Sequence, residues 1–258
     1  VTWSSLIVAH VDCDQSEEAL SLFHRMGQEG ICGNEITYMC ILKACPGLCL
    51  FHSKQIHTHI ITNNLDTLPS IANTLIGMYS SCGDLTMASE VFHKMSVPDA
   101  VTWNAIIGGY AEHGDYELAK LYFERMLFKN LKPDDVTFVN ILTACSHAGL
   151  LLESYYYFNL SNQFCLVPTV EHYICLVDVL RRTDRLNDTT AFVESMPYPP
   201  TTTFWVALLS SCALCKNFEL GKRAADNLVE ADRDNVTGLV MMSNLYAAMR
   251  ENDIVSHE

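Results

Sequence analysis

The residues with the most chemistry in this chain are a cysteine pair, a histidine pair and a carboxylate pair. Cys212 and Cys215 form a Cys-x-x-Cys, half of a zinc site. A second pair at suitable spacing is needed to complete it, and none follows. His57 and His59 are two imidazoles one residue apart. On a helix such positions point about 200° apart, so the pair reads as ordinary surface or interface histidines. Asp134-Asp135 lacks a partner for acid/base work and suits a helix start, where carboxylates meet the macrodipole. No glycine-rich phosphate loop, Gly-x-Ser-x-Gly elbow or His-Glu-x-x-His is present. The His-x-Glu and paired cysteines of a zinc deaminase are missing too. Asn159, Asn187 and Asn235 head glycosylation triplets, which chance supplies in a non-secreted chain. The expectation is a chain with no catalytic residues, no metal and no cofactor, whose chemistry is recognition.

Charge narrows what is recognised. Sixteen Lys and Arg face 30 Asp and Glu, a formal net charge of −14. Non-specific phosphate binding runs on counterion release to Lys and Arg, so nucleic-acid contact would need a local surface. The 11 cysteines are scattered, and an odd count speaks against a closed disulfide framework. Cys45, Cys145 and Cys212 sit at one place in a repeat, late in a first helix, where cysteine serves as a small core residue. A reducing compartment follows. No run of 18 apolar residues exists, so no membrane span is expected. The chain opens inside one repeat and stops inside another, and reads as a fragment with any targeting segment outside it.

The elements that position these residues are short amphipathic helices. Between 101 and 134, Trp103, Ile106, Ile107 and Tyr110 fall at helical spacing. Gly114-Asp115 breaks the pattern; Leu118, Ala119, Tyr122, Phe123 and Met126 restart it, and Lys132-Pro133-Asp134 ends it. One such hairpin cannot bury its own stripe, and copies follow. Val1-Thr2-Trp3 matches Val101-Thr102-Trp103. Ala19, Phe23 and Met26 recur as Ala88, Phe92 and Met95 and as Ala119, Phe123 and Met126. Trp3, Trp103 and Trp205 recur about 100 residues apart, so a short period of about 31 to 35 residues lies inside a long one of three units. The inter-helix turn holds Gly83, Gly114 and Gly149 but also Asp14, Asp184 and Lys216. The second unit is one residue short around Cys49 to Lys54, and Thr189 takes the small-residue position of the sixth.

This ordered series resembles the pentatricopeptide repeat family of plant organelles, in its mixed-length subclass of standard, long and short motifs. Val1-Thr2-Trp3 and Val101-Thr102-Trp103 look like standard units. Ile41-Leu42-Lys43-Ala44-Cys45 with Lys54-Gln55-Ile56-His57 looks long, and Asn73 to Met95 looks short. Leu142 to Gly149, then Pro168 to Tyr173, looks like a closing long and short pair. Phe204-Trp205 and Ser243-Asn244-Leu245-Tyr246 resemble the extension motifs that follow. The resemblance divides the chain into a standard repeat 1–34, a long repeat 35–68, a short repeat 69–99, a standard repeat 100–134, a long repeat 135–169, a short repeat 170–201, an extension motif 202–235 and a truncated second one 236–258.

The resemblance implies an all-α fold, a right-handed α-solenoid that binds single-stranded organellar RNA at one base per repeat. It also implies a role in C-to-U editing in a mitochondrion or chloroplast, with editing-complex proteins as partners of the C-terminal extension. Any deaminase would lie downstream or act in trans. The contrasting reading is a protein-interaction scaffold that binds little RNA. In the family, one reader follows the first-helix aromatic and the second closes the repeat. Carried over, the readers are Ser4 with Asn34, Asn73 with Asp99, and Asn104 with Asp134; the pair types imply A, an unread base, U and U. Met39 with Leu68 offers no polar pair, and Val139 with Thr169, Ile174 with Thr201 and Val206 with Asn235 at most one polar member. Without the resemblance, Asn73 and Asn104 read equally well as helix starts.

Overall fold

A computed structural model describes residues 2–45, 50–232 and 236–255. Val1, residues 46–49, where part of the expected one-residue shortening falls, and Asn235 lie outside the described residues. Those described form fifteen α-helices and one 3-10 turn, with no strand among them. The fold class is all-α, an α-solenoid of helical hairpins. Two compact units divide it at Lys132 and Pro133.

The first unit holds four hairpins: α1 (Trp3–Asp12) with α2 (Ser16–Gln28), α3 (Glu35–Ala44) with α4 (Leu50–Thr62), α5 (Pro69–Ser81) with α6 (Leu85–Lys94), and α7 (Ala100–Glu112) with α8 (Tyr116–Phe128). The odd helices pack in succession, α1 on α3, α3 on α5 and α5 on α7, and make one layer. Their partners form the second layer. The apolar stripe Trp103, Ile106, Ile107 and Tyr110 is buried, as are Ala119, Tyr122, Phe123 and Met126 facing it. Each large side chain among them contributes about 1.5–3 kcal/mol by leaving water. Phe92 binds the hairpins together, edge-on to Trp103 at 4.8 Å and to Tyr122 at 5.2 Å between ring centroids.

The second unit repeats the arrangement with α9 (Asp135–His147), α10 (Leu151–Gln163), α11 (Val170–Arg182), α12 (Thr189–Ser195), α13 (Thr202–Cys215), α14 (Phe218–Ala231) and α15 (Val236–Val255). Here α9, α11, α13 and α15 pack in succession. The sixth hairpin departs from the helix–turn–helix expected of it. Its second helix is a 3-10 turn, Leu186–Asp188, followed by only seven helical residues. Ala19, Ala88 and Ala119 are fully buried at this place in other hairpins, whereas Thr189 is buried with an unpartnered Oγ1. A β-branched residue with an orphan hydroxyl opposes a close helical contact.

The turn residues fall into one conformation whatever their type. Asp14, Asp184 and Lys216 have φ of 57°, 57° and 55°, and Gly83, Gly114 and Gly149 have φ of 78°, 74° and 67°. The left-handed residue that lets the chain reverse is kept where glycine is not, at about 1–2 kcal/mol of strain per non-glycine position. Helix α8 ends before the proline expected to stop it. Asn130 at φ 57° closes it, its N–H donating to the Leu127 carbonyl at 2.8 Å.

Candidate nucleic-acid interface

Three first helices, α3, α7 and α9, start alike, and their starts are built from residues singled out in the sequence. Asn34, Asp99 and Asp134 are the N-caps of α3, α7 and α9. Each extends its backbone and accepts the N–H of the residue three further on, Thr37, Thr102 or Thr137, at 2.9 Å. The threonine hydroxyl donates to the same Oδ1 at 2.8, 2.8 and 2.9 Å. It also accepts the cap's own N–H. This reciprocal capping box satisfies two of the donors a helix start leaves open. The three threonines are fully buried, and the three caps are exposed.

The other proposed readers lie further in. Asn73 and Asn104 are the fifth residues of α5 and α7, so neither is a helix start, which corrects that alternative. Ser4 is the second residue of α1, because Thr2 caps that helix by accepting the Ser5 N–H.

Two of the three pairs can be followed within one unit, and both come together. Ser4 Oγ lies 2.7 Å from Thr37 Oγ1, so Ser4 and Asn34 are joined through one hydroxyl. The Asn73 amide donates to the Asp99 carboxylate, and Asn73 Oδ1 is buried with no protein donor among the described residues. The Thr102 N–H holds the Asp99 carboxyl below its ordinary value against a smaller effect of burial; the Thr102 hydroxyl and Asn73 add to the lowering. Asn104 and Asp134 fall in different units: Asn104 is 8% exposed on α7, and Asp134 caps α9.

A further set of residues escaped the sequence reading. Ile36, Val101 and Val136, two places past the caps, are 59%, 60% and 55% exposed. Branched aliphatics at one register on an open surface are suited to lie against the flat face of a base. The signal was present: Asn34-Glu35-Ile36-Thr37, Asp99-Ala100-Val101-Thr102 and Asp134-Asp135-Val136-Thr137 share one pattern.

Further along the repeats the pattern changes. At α11 the place of the capping threonine is taken by His172, whose Nδ1 accepts the Thr169 N–H at 3.1 Å. An accepting Nδ1 requires the Nε2–H tautomer, and Nε2 is buried without a partner. Burial holds this imidazole below its ordinary value. Asp178 ties α11 to α9 through the Ser146 hydroxyl at 2.6 Å and grips Arg181 and Arg182. Burial raises its carboxyl, but the Ser146 hydroxyl and the two guanidiniums outweigh this and bring it to about 2.

Cys45, Cys145 and Cys212 are buried, and burial pushes their thiols up to about 11, 12 and 12. Cys215 is exposed, with Sγ toward the Arg181 carbonyl at 3.8 Å. His57 is buried against the Tyr79 hydroxyl at 2.8 Å, while His59 packs edge-on to Phe23. Asp135 lies in the first turn of α9. No helix among the described residues is long and apolar enough to cross a membrane.

Comparison with known proteins extends these findings. A family model described as PPR repeat family matches residues 1–46 and 98–147, and one described as PPR repeat matches residues 70–97. A putative pentatricopeptide repeat-containing protein of Arabidopsis thaliana is 34% identical over 258 residues, 99% of this chain and 35% of its own length. The chloroplastic pentatricopeptide repeat-containing protein DOT4 of the same plant is 36% identical over 250 residues, 96% of this chain and 29% of its own. A mitochondrial one is 37% identical over 250 residues, 96% of this chain and 28% of its own. The chain thus spans about a third of the length of these relatives. Among solved structures, PPR10 in complex with an 18-nt psaJ RNA element aligns over 95% of this chain and 42% of its own, with a TM-score of 0.63 and 17% identity. PPR10 from maize gives a TM-score of 0.60 at 17% identity, over 95% of this chain and 41% of its own. At that identity the likeness speaks for the fold.

Proposed function

Because the chain belongs to the pentatricopeptide repeat family, we propose that it is a sequence-specific adaptor for single-stranded organellar RNA, serving C-to-U editing. It recognises RNA and leaves the chemistry to a deaminase domain or partner elsewhere. The repeat boundaries, the extension from residue 202 and the contact of that extension with editing-complex proteins belong to the same proposal. PPR10 is seen with an RNA element, and relatives are named chloroplastic or mitochondrial, which supports an organellar RNA partner.

One observation carries the reading. In the first unit a polar side chain from one repeat and the cap of the next lie side by side at two places, Ser4 with Asn34 and Asn73 with Asp99. Beside the caps stand the exposed aliphatics Ile36 and Val101. A base needs hydrogen-bonding atoms at its edge and apolar atoms against its face, and both are on offer at two places two repeats apart.

The test is a titration of the purified chain, at fixed salt, against single-stranded RNA containing A, any base, U, U and against a scrambled strand. Preference for the first supports sequence-specific reading; equal or absent binding overturns it and favours the scaffold reading. Asn104→Ser is expected to move preference at its base from U toward G by about tenfold, the scale of one well-placed hydrogen bond. No change would undo the assignment of Asn104. Loss of C-to-U conversion at one or a few organellar transcript sites, in plants lacking the gene, tests the editing role.

A further inference from the structure

Resting on that reading, we infer that the threonine three residues past each cap, Thr37 for the first pair and Thr102 for the third, holds the cap so that the pair turns one fixed hydrogen-bonding face toward a base. These buried threonines touch no base themselves and are positioning residues.

The argument follows the protons. A backbone N–H only donates, so the Asn34 atom 2.9 Å from the Thr37 nitrogen is the oxygen. The Thr37 hydroxyl gives its single proton to the same oxygen at 2.8 Å. The outward atom of exposed Asn34 is therefore Nδ2, a donor. Ser4 Oγ, 2.7 Å from Thr37 Oγ1, must then direct its own proton to Thr37, which leaves it an acceptor. The first pair shows a base one amide donor beside one hydroxyl acceptor.

The third pair uses the same lock with the opposite result. Asp99 Oδ1 takes the Thr102 N–H and hydroxyl at 2.9 and 2.8 Å. A carboxylate has no proton to give, so Asn73 donates its amide to Asp99 and turns Oδ1 away. That oxygen is buried and meets no protein donor among the described residues. The exposed member of the third pair, the Asp99 carboxylate, shows a base an acceptor.

Base edges divide along this line. Adenine and cytosine carry an unprotonated ring nitrogen next to an amino group, while uracil and guanine carry a ring N–H. The donor of Asn34 suits the first class, and the carboxylate acceptor of Asp99 suits the second. Removing the threonine hydroxyl takes away the second donor that pins Asn34 Oδ1 and the acceptor that directs Ser4. Serine would supply both; valine, of the same shape, supplies neither.

The experiment compares the whole chain with its Thr37→Val and Thr37→Ser variants, each checked for helical content. RNAs differing only at the first base are titrated at fixed salt. Thr37→Val is expected to lower the preference for A over G at that base roughly fivefold, with the U preference of the third pair unchanged; Thr37→Ser restores it. Valine weakening all four bases alike, or serine behaving like valine, overturns the inference. A base-indifferent wild-type chain sinks the RNA reading itself. A discriminating wild type whose selectivity survives valine sinks only the role of the threonine. An RNA-free arm titrates the Asp99 carboxyl by NMR in the wild type and in Thr102→Val. Upward movement of its pKa supports the lock, and an unchanged value overturns it.

Discussion

His172 stands where Thr37, Thr102 and Thr137 stand in other repeats, and it changes the pH behaviour of its helix start. The cap works only while Nδ1 is unprotonated. The folded pKa lies below the unfolded value of 6.5, so the unfolded chain binds the proton more readily. The stability this neutral group contributes is complete above pH 6.5 and is lost as pH falls below it toward the folded pKa. Urea unfolding at pH 7.5 and 5.5 checks this. The loss between the two is expected to be larger in the wild type than in His172→Thr by up to about 1.3 kcal/mol. Equal losses would exclude His172 as the cause. At this scale Asn34, Asp99 and Asp134 were singled out by the family resemblance, and their place as helix caps came from the structure. Thr37 and Thr102 were not, because a threonine read singly is a core or surface residue until its hydroxyl partner is seen.

Among the elements, the close approach of α5 and α7 sets the spacing of the third pair. Gly109 on α7 leaves room for Ser80 on α5; a Cβ there would collide with the Ser80 Oγ and lie 2.9 Å from its Cβ. Gly109→Ala is therefore expected to cost about 1–3 kcal/mol, measured as a lower urea midpoint. A midpoint unchanged or raised by the small gain in helix propensity would show that the helices separate freely. The hairpins themselves were legible, because a 3.6-residue apolar period ending in a turn allows few alternatives. The shortened α12 was not. Thr189 stood out in the sequence at a small-residue position, but its buried, unpartnered hydroxyl is visible only in the structure. The stop of α8 at Asn130 was missed because proline is the louder signal.

For the molecule as a whole, a net charge of −14 limits how RNA can be held. With only 16 basic residues against 30 acidic, few phosphates can be neutralised. The logarithm of affinity for single-stranded RNA is expected to fall with the logarithm of salt at a slope of about −2, near that for three phosphates. Base preference should persist as salt rises. A slope of about −5 or steeper would point to a phosphate-dominated grip and away from readout at the caps. At this scale periodicity made a stack of helical hairpins legible, since copies of one hairpin have nowhere to bury their stripes but against each other, and the family resemblance supplied the solenoid.

The capping register has a consequence for recoding. On the proposed reading Asn73, Asp99 and Thr102 act together, yet they straddle the proposed boundary between one repeat and the next. A cassette cut at residues 69 and 99 would transplant both proposed readers and leave behind the hydroxyl that holds one of them. A cassette running from 73 through 102 would carry the complete unit, so the heritable module of specificity is offset from the module of folding.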